Sequence, residues 1–147
     1  MRWRDVRLEA LREAPYAFGA TLANWRDARE SRWRNRLREV PCNILAELDG
    51  ATVGMVSGTA PLNGEVMLIS MWVAPSARGK GGGDALVGAV LAWALQQGAD
   101  RVSLHVREDN EPAIALYRRN GFVDVGAKER ESENEPPERR MMRRLAS

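Results

Sequence analysis

The chain is expected to fold as one α+β domain, a largely antiparallel sheet with helices on both faces. Three observations predict it. Strand-like runs fill residues 43–48, 52–59 and 65–73, and the turn pairs Asp49-Gly50 and Asn63-Gly64 sit in the gaps between them, so these strands run antiparallel. Helical patterns stand before this meander and again after it. One of the later helices separates residue 73 from the next strand, over 101–106, and a crossover of that kind joins parallel neighbours. A length of 147 residues suits a single domain.

Taken in order, residues 2–14 read as a helix, with Val6, Leu8, Ala10, Leu11 and Ala14 as an apolar stripe and Pro15 as its stop. Residues 15–19 form a short apolar turn, and Thr21 can cap a second helix over 22–38 that ends before Pro41. After the meander, a helix runs to about Gln97 with Leu86, Val90, Trp93 and Ala94 on its buried face and Gly98 just past its end. Asn110, Glu111 and Pro112 open a last helix: proline suits the first turn and glutamate the positive end of the dipole. Two further strands are read over 122–127 and 139–145. The polar stretch 128–138 between them, with Pro136 and Pro137, reads as a mobile loop.

Composition excludes several classes. No run of about 18 apolar residues exists, and the N-terminal residues have neither the apolar centre nor the small-residue cleavage site of a secretion signal. A single cysteine, Cys42, allows no internal disulfide and fits a reducing cytoplasm; one cysteine with one histidine, His105, makes no Cys/His zinc site. Net charge is +2, and the densest basic run, 26–38, is interleaved with Asp27 and Glu30 at helical spacing. That favours a solvated helix face over a nucleic-acid surface. No nucleic-acid partner and no membrane association are expected.

The informative stretch runs from Val73 to Trp93. A strand stops at Ala74 and Pro75, then four glycines fall in five positions, Gly79 and Gly81 to Gly83, broken only by Lys80, and a helix follows at once. Glycines let main chain approach an anion, and the free N–H groups of a first helical turn point at it with the dipole behind them. Arg78 and Lys80 add full charges. The spacing is neither the dinucleotide fingerprint nor the Walker loop, which needs Ser or Thr after its lysine where Gly81 stands. Taken alone, such a loop is as often a plain strand–helix turn.

Arg78-x-x-Gly81-x-Gly83 resembles the acetyl-CoA signature of the GNAT family of N-acetyltransferases, R/Q-x-x-G-x-G/A. About 30 residues on, Asn110 to Phe122 (NEPAIALYRRNGF) resembles a second hallmark of that family, N-x-x-A-x-x-L-Y-x-x-x-G-F. The resemblance covers residues 42–145, and 6–21 look like the first two helices of many members. It implies the GNAT acyl-CoA N-acyltransferase fold, with acetyl-CoA as co-substrate and no metal. It implies backbone amides at Gly79, Lys80, Gly81, Gly82, Gly83 and Asp84 around a pyrophosphate, with Arg78 and Lys80 neutralising charge. Main chain at Trp72 and Val73 pairs with the pantetheine arm, Asn110 bonds that arm, and Tyr117 protonates the leaving thiolate. The implied reaction is direct attack of a primary amine, on a small or amino-acid-like acceptor, in a ternary complex. The acceptor wall is expected from residues 15–21, the second helix and 128–138.

The chemistry suits those residue types. Thioester aminolysis needs a neutral amine, a donor for the developing oxyanion and an acid for sulfur. A phenol of pKa about 10 can serve a thiolate of pKa about 8.5. No enzyme nucleophile is needed, and Cys42 reads as structural. Plainer readings stand beside the functional ones: Tyr117 as a core aromatic, Asn110 as a helix cap, and Trp72 and Trp93 as core. His105 faces either the substrate gap or a surface or helix-covered site. The general base is not evident: the position where some relatives place a glutamate holds Met67, Glu65 or Glu47 could act through water, and an α-amine of pKa about 8 would need little help.

Two departures are visible. Gly82 replaces a bulky aliphatic, which predicts a looser loop. Family members usually begin with a strand before the first helix, and this sequence starts inside that helix: either the sheet lacks its edge strand, which would leave the edge over 43–49 open to another chain, or the sequence starts late. Dimers are common in the family, but nothing in this sequence demands one. A non-catalytic acyl-CoA-binding module and a protein or peptide N-acetyltransferase are the rival readings.

Overall fold

The structure is a computed structural model that describes residues 2–13, 36, 39–130 and 133–145. The helix expected over 22–38, Arg36 aside, and the acceptor wall expected from 15–21 lie outside the described residues. Helix α1 (Arg2–Glu13) precedes a meander of β1 (Cys42–Leu48), β2 (Ala51–Gly58) and β3 (Glu65–Val73). A 3-10 turn (Pro75–Ala77) leads into α2 (Gly82–Gln96), followed by β4 (Arg101–Arg107), α3 (Glu111–Arg119), β5 (Val123–Ala127) and β6 (Glu138–Arg144). The six strands form one sheet in the order β1-β2-β3-β4-β6-β5. Only β3 and β4 pair in parallel. This is the α+β architecture expected.

The turns form for the reason the sequence gives. Asp49 and Gly50 take φ of 51° and 83°, and Asn63 and Gly64 take 52° and 79°. Both central residues of each turn are left-handed, which matches the twist of a hairpin. Gly64 has a second reason: a Cβ there would lie 2.4 Å from the Asp100 carboxylate.

Two apolar layers sandwich the sheet. On one face Val66, Leu68, Val102, Leu104 and Met141 pack with Leu86, Val87, Val90 and Ala94 of α2 and with Tyr117 and Phe122. On the other, Trp3, Val6 and Ala10 of α1 cover Met55, Trp72 and Ala74. Trp72 and Cys42 are core residues. Cys42 opens β1 inside the core, where burial raises its thiol pKa despite a hydrogen bond from Gly58. Burying one large apolar side chain stabilises by about 1.5–3 kcal/mol, so these layers fix where β3 and β4 sit.

Strand β3 changes face part-way. Val66 and Leu68 point to α2; after Ser70 it is Met71 and Val73 that do so, and Trp72 points to α1. The pairing shows the inserted residue: Ser57 faces Ile69, but Met55 faces Trp72. This is a β-bulge at Ser70, whose φ is +57°. The bulge was not foreseen from the sequence.

Candidate active site

Strands β3 and β4 separate before the bulge is reached. They pair only from Glu65–Arg101 to Met67–Ser103. Past that point a groove of about 550 Å³ opens between Leu68 to Val73 on one wall and His105 to Arg107 on the other. The start of α2 closes one end, and α3 lies along it with Asn110, Leu116 and Tyr117 on the lining. A strand left without its neighbour offers main-chain N–H and C=O groups to an extended ligand.

The glycine loop is shaped to leave room. Gly79 and Gly81 take φ of +79° and +82°. Gly81 is the N-cap of α2, and no side chain caps that helix. A Cβ at Gly79, Gly81 or Gly82 would meet nothing within 4 Å. The loop therefore leaves room for close approach to main chain where a 15-residue helix begins. Gly83 differs, since a Cβ there would meet Leu116 Cδ2 at 3.2 Å. It is a point where α2 packs closely against α3. Arg78, Gly79, Gly81, Gly83 and Asp84 line the groove with Trp72 and Val73; Lys80 and Gly82 belong to the loop but not to the lining.

Two side chains tie the loop down. Arg78 Nε donates to the Val73 carbonyl at 2.9 Å. The Asp84 carboxylate, in the first turn of α2, accepts from Arg119 Nη2 at 3.2 Å and Asn120 Nδ2 at 2.9 Å. Those bonds hold its pKa below the usual carboxylate range. They also offset its negative charge at the start of α2.

Asn110 is the N-cap of α3, its Oδ1 accepting from Ala113 N–H at 3.3 Å. It also lines the groove, so the cap reading and the site reading coexist. Tyr117 is 6 % exposed, its ring edge-on to Phe122 at 5.9 Å. Its hydroxyl has no hydrogen-bond partner among the described residues and the residue lines the groove. Burial pushes the phenol pKa up, so it stays protonated and able to donate.

The proposed bases do not join this assembly. Glu65 lies at the paired end of β3, off the groove lining. Its carboxylate accepts from Ser103 Oγ, from Arg101 Nε at 3.0 Å and from Arg140 Nη2 at 2.9 Å. Burial pulls its pKa upward, but those bonds and the Arg140 charge win, and the net direction is down. A carboxylate so held is a poor proton acceptor. Glu47, on the edge strand β1, is also absent from the lining. His105, left open by the sequence, does line the groove. No cluster of potential metal ligands occurs among the described residues, and no helix there is long and apolar enough to cross a membrane.

Residues 4–122 match the family model for the acetyltransferase (GNAT) family. The chain belongs to that family. Among named relatives of this GNAT chain, a mycothiol acetyltransferase of Salinispora tropica is 34 % identical over 126 residues, 82 % of this chain and 40 % of that protein. An N-acetyltransferase YobR of Bacillus subtilis is 30 % identical over 89 residues, 60 % of this chain and 36 % of that one. The chain thus spans well under half the length of these relatives. Among solved structures, nourseothricin acetyltransferase superposes with a TM-score of 0.62 at 30 % identity, over 67 % of this chain and 61 % of that one. Ard1 from Thermoplasma volcanium superposes with a TM-score of 0.75 over 95 % and 94 % of the two chains, at 22 % identity, which establishes shared fold alone.

Proposed function

We propose that this GNAT chain is an acetyl-CoA-dependent N-acetyltransferase that acetylates a primary amine of a small or amino-acid-like acceptor. The observation that carries the reading is the junction of three features in one groove: a helix start without a side-chain cap, an unpaired strand edge and a tyrosine hydroxyl without a partner among the described residues. A small-molecule acceptor is supported by relatives at 30 % identity or more that are named for mycothiol and nourseothricin.

In this reading the amides after Gly81 hold the diphosphate, and Arg78 supplies a cation beside it. Trp72 and Val73 offer main-chain bonds to the extended arm. Tyr117 directs its proton at the sulfur. Burial that raises the phenol also raises a thiol brought to the same place, so proton transfer between them stays matched. The amine attacks the thioester directly, with both substrates bound together.

A thiol-release assay with acetyl-CoA and a fixed panel of glycinamide, phenylethylamine, spermidine and glucosamine tests this. The expected result is release that depends on an amine and falls about 10²-fold or more in Tyr117→Phe. Stabilisation by acetyl-CoA with no release for any amine would instead mark a binding module and end the reading.

A further inference from the structure

We infer that His105 is the general base of the reaction, taking the proton from the acceptor nitrogen as it attacks. The inference rests on the acetyl-transfer reading above and names the group that reading leaves unassigned.

Placement is the first argument. His105 stands in the part of β4 that has left β3, on the groove wall opposite the bulge. Its neighbours Leu104 and Val106 are buried on the other face, against α2 and α3. The imidazole is therefore on the sheet face away from α2 and α3, where it is exposed.

Elimination is the second. The arginines on the lining cannot accept a proton at working pH. Tyr117 is protonated and turned to the donor role. Asp84 is bound by Arg119 and Asn120 at the helix start. Glu138 remains, paired with Lys128 Nζ at 3.5 Å. A carboxylate already engaged by a cation is the poorer proton acceptor, which leaves the imidazole.

Electrostatics is the third. Arg140 is the direct cross-strand partner of His105. Glu65 accepts from Arg140 Nη2 through both oxygens, at 3.0 and 2.9 Å, and so pins that cation in place. The groups acting on the imidazole are Lys128 and Arg140, which oppose its protonation, and Glu138 and Glu65, which favour it. Burial, the largest influence, adds to the cations, and the net direction is below the usual histidine value. The ring is thus neutral and ready to accept. Glu65 has become a positioning residue behind the base.

The step balances. The N–C bond forms as the C–S bond breaks, the amine proton passes to His105, and the Tyr117 proton passes to sulfur. The imidazolium then releases its proton to solvent, and the phenolate regains one.

The test measures kcat and kcat/KM against pH with the fastest amine of the panel, for wild type, His105→Gln, His105→Ala and Glu138→Gln. Thermal stabilisation by acetyl-CoA is followed in each. The wild-type rate is expected to fall on the acid side with a midpoint below about 6.5. His105→Gln should keep the acetyl-CoA shift, lose about 10²-fold or more in kcat at pH 7 and lack that limb. Added imidazole should restore part of the rate in His105→Ala. A wild-type limb and rate retained in His105→Gln, or lost instead in Glu138→Gln, overturns the assignment while acetyl transfer stands. A wild type that transfers to no amine removes both.

Discussion

Gly81→Ala isolates the loop's contribution. Gly81 holds φ +82°, and a Cβ there meets no atom within 4 Å, so alanine adds backbone strain and no clash. A left-handed non-glycine residue costs about 1–2 kcal/mol. The protein can keep the left-handed cap and lose that stability, or relax the cap and turn the N–H groups of Gly82, Gly83 and Asp84 away from a bound phosphate. For a domain of this size, 1 kcal/mol is a Tm change of about 2–4 °C. If the strain appears in binding, the same energy is about 5- to 30-fold in Kd. The internal control is Gly88→Ala: Gly88 lies inside α2 and a Cβ there also meets nothing. That change should stabilise by about 0.4–1 kcal/mol and leave the cofactor untouched. Thermal melts of all three proteins with and without acetyl-CoA decide it. A Gly81→Ala protein with wild-type Tm and wild-type acetyl-CoA affinity would refute both the strain argument and the placement of the phosphate.

Other expectations follow from particular contacts. Arg119→Gln frees the Asp84 charge at the start of α2 and should weaken acetyl-CoA binding about two- to five-fold, less in high salt; calorimetric titration reads this. Gly83→Leu should cost binding more than Gly81→Ala does, because the side chain must displace Leu116 at the groove floor; the acetyl-CoA thermal shift should vanish. Glu65→Gln should destabilise by about 1 kcal/mol at pH 7 through lost bonds to Arg101 and Arg140. Glu65 sits below its ordinary pKa in the folded state, so its contribution is complete above about pH 4.3, the unfolded value, and is lost as pH falls through the lower folded one. Denaturant melts of the two proteins should therefore converge in acid, and a constant gap would count against the ion-pair account.

Much of this was legible in the sequence because the signals are local. Asp49-Gly50 and Asn63-Gly64 name their own turns, and all described strands lie within two residues of their expected bounds. The glycine loop and the Asn110 to Phe122 motif locate the two ends of the groove for the same reason. What was not legible depends on partners distant in sequence. Glu65 looks like a base until Arg101 and Arg140 arrive from other strands. His105 alternates with buried neighbours whether its face is covered or open, and only the parting of β3 from β4 decides. Gly82 is the first residue of α2, and a Cβ there would meet nothing within 4 Å.

The bulge at Ser70 is the least legible feature, and it shapes one wall of the groove. A serine in a run of strand formers carries no signal for positive φ, and a regular strand is the default reading. Without the extra residue, period-2 alternation would carry Val66 and Leu68 on to a Trp72 facing α2, leaving the α1 layer without its tryptophan. With it, Trp72 joins Trp3 and Met55 while Val73 turns to α2. The left-handed serine costs about 1–2 kcal/mol. Its hydroxyl accepts from Arg36 Nη2 at 3.2 Å, and the same guanidinium reaches Ser57 Oγ at 3.3 Å and Asn43 Oδ1 at 3.2 Å. Hydrogen bonds to a charged group contribute about 1.5–3 kcal/mol each, enough to offset the strain. Arg36 therefore locks three strands around the kink. The β3–β4 ladder stops at Met67–Ser103, three residues before the kink, so the groove is already open at Leu68 and the inserted residue decides which side chains beyond it, Met71 and Val73 or Trp72, face α2.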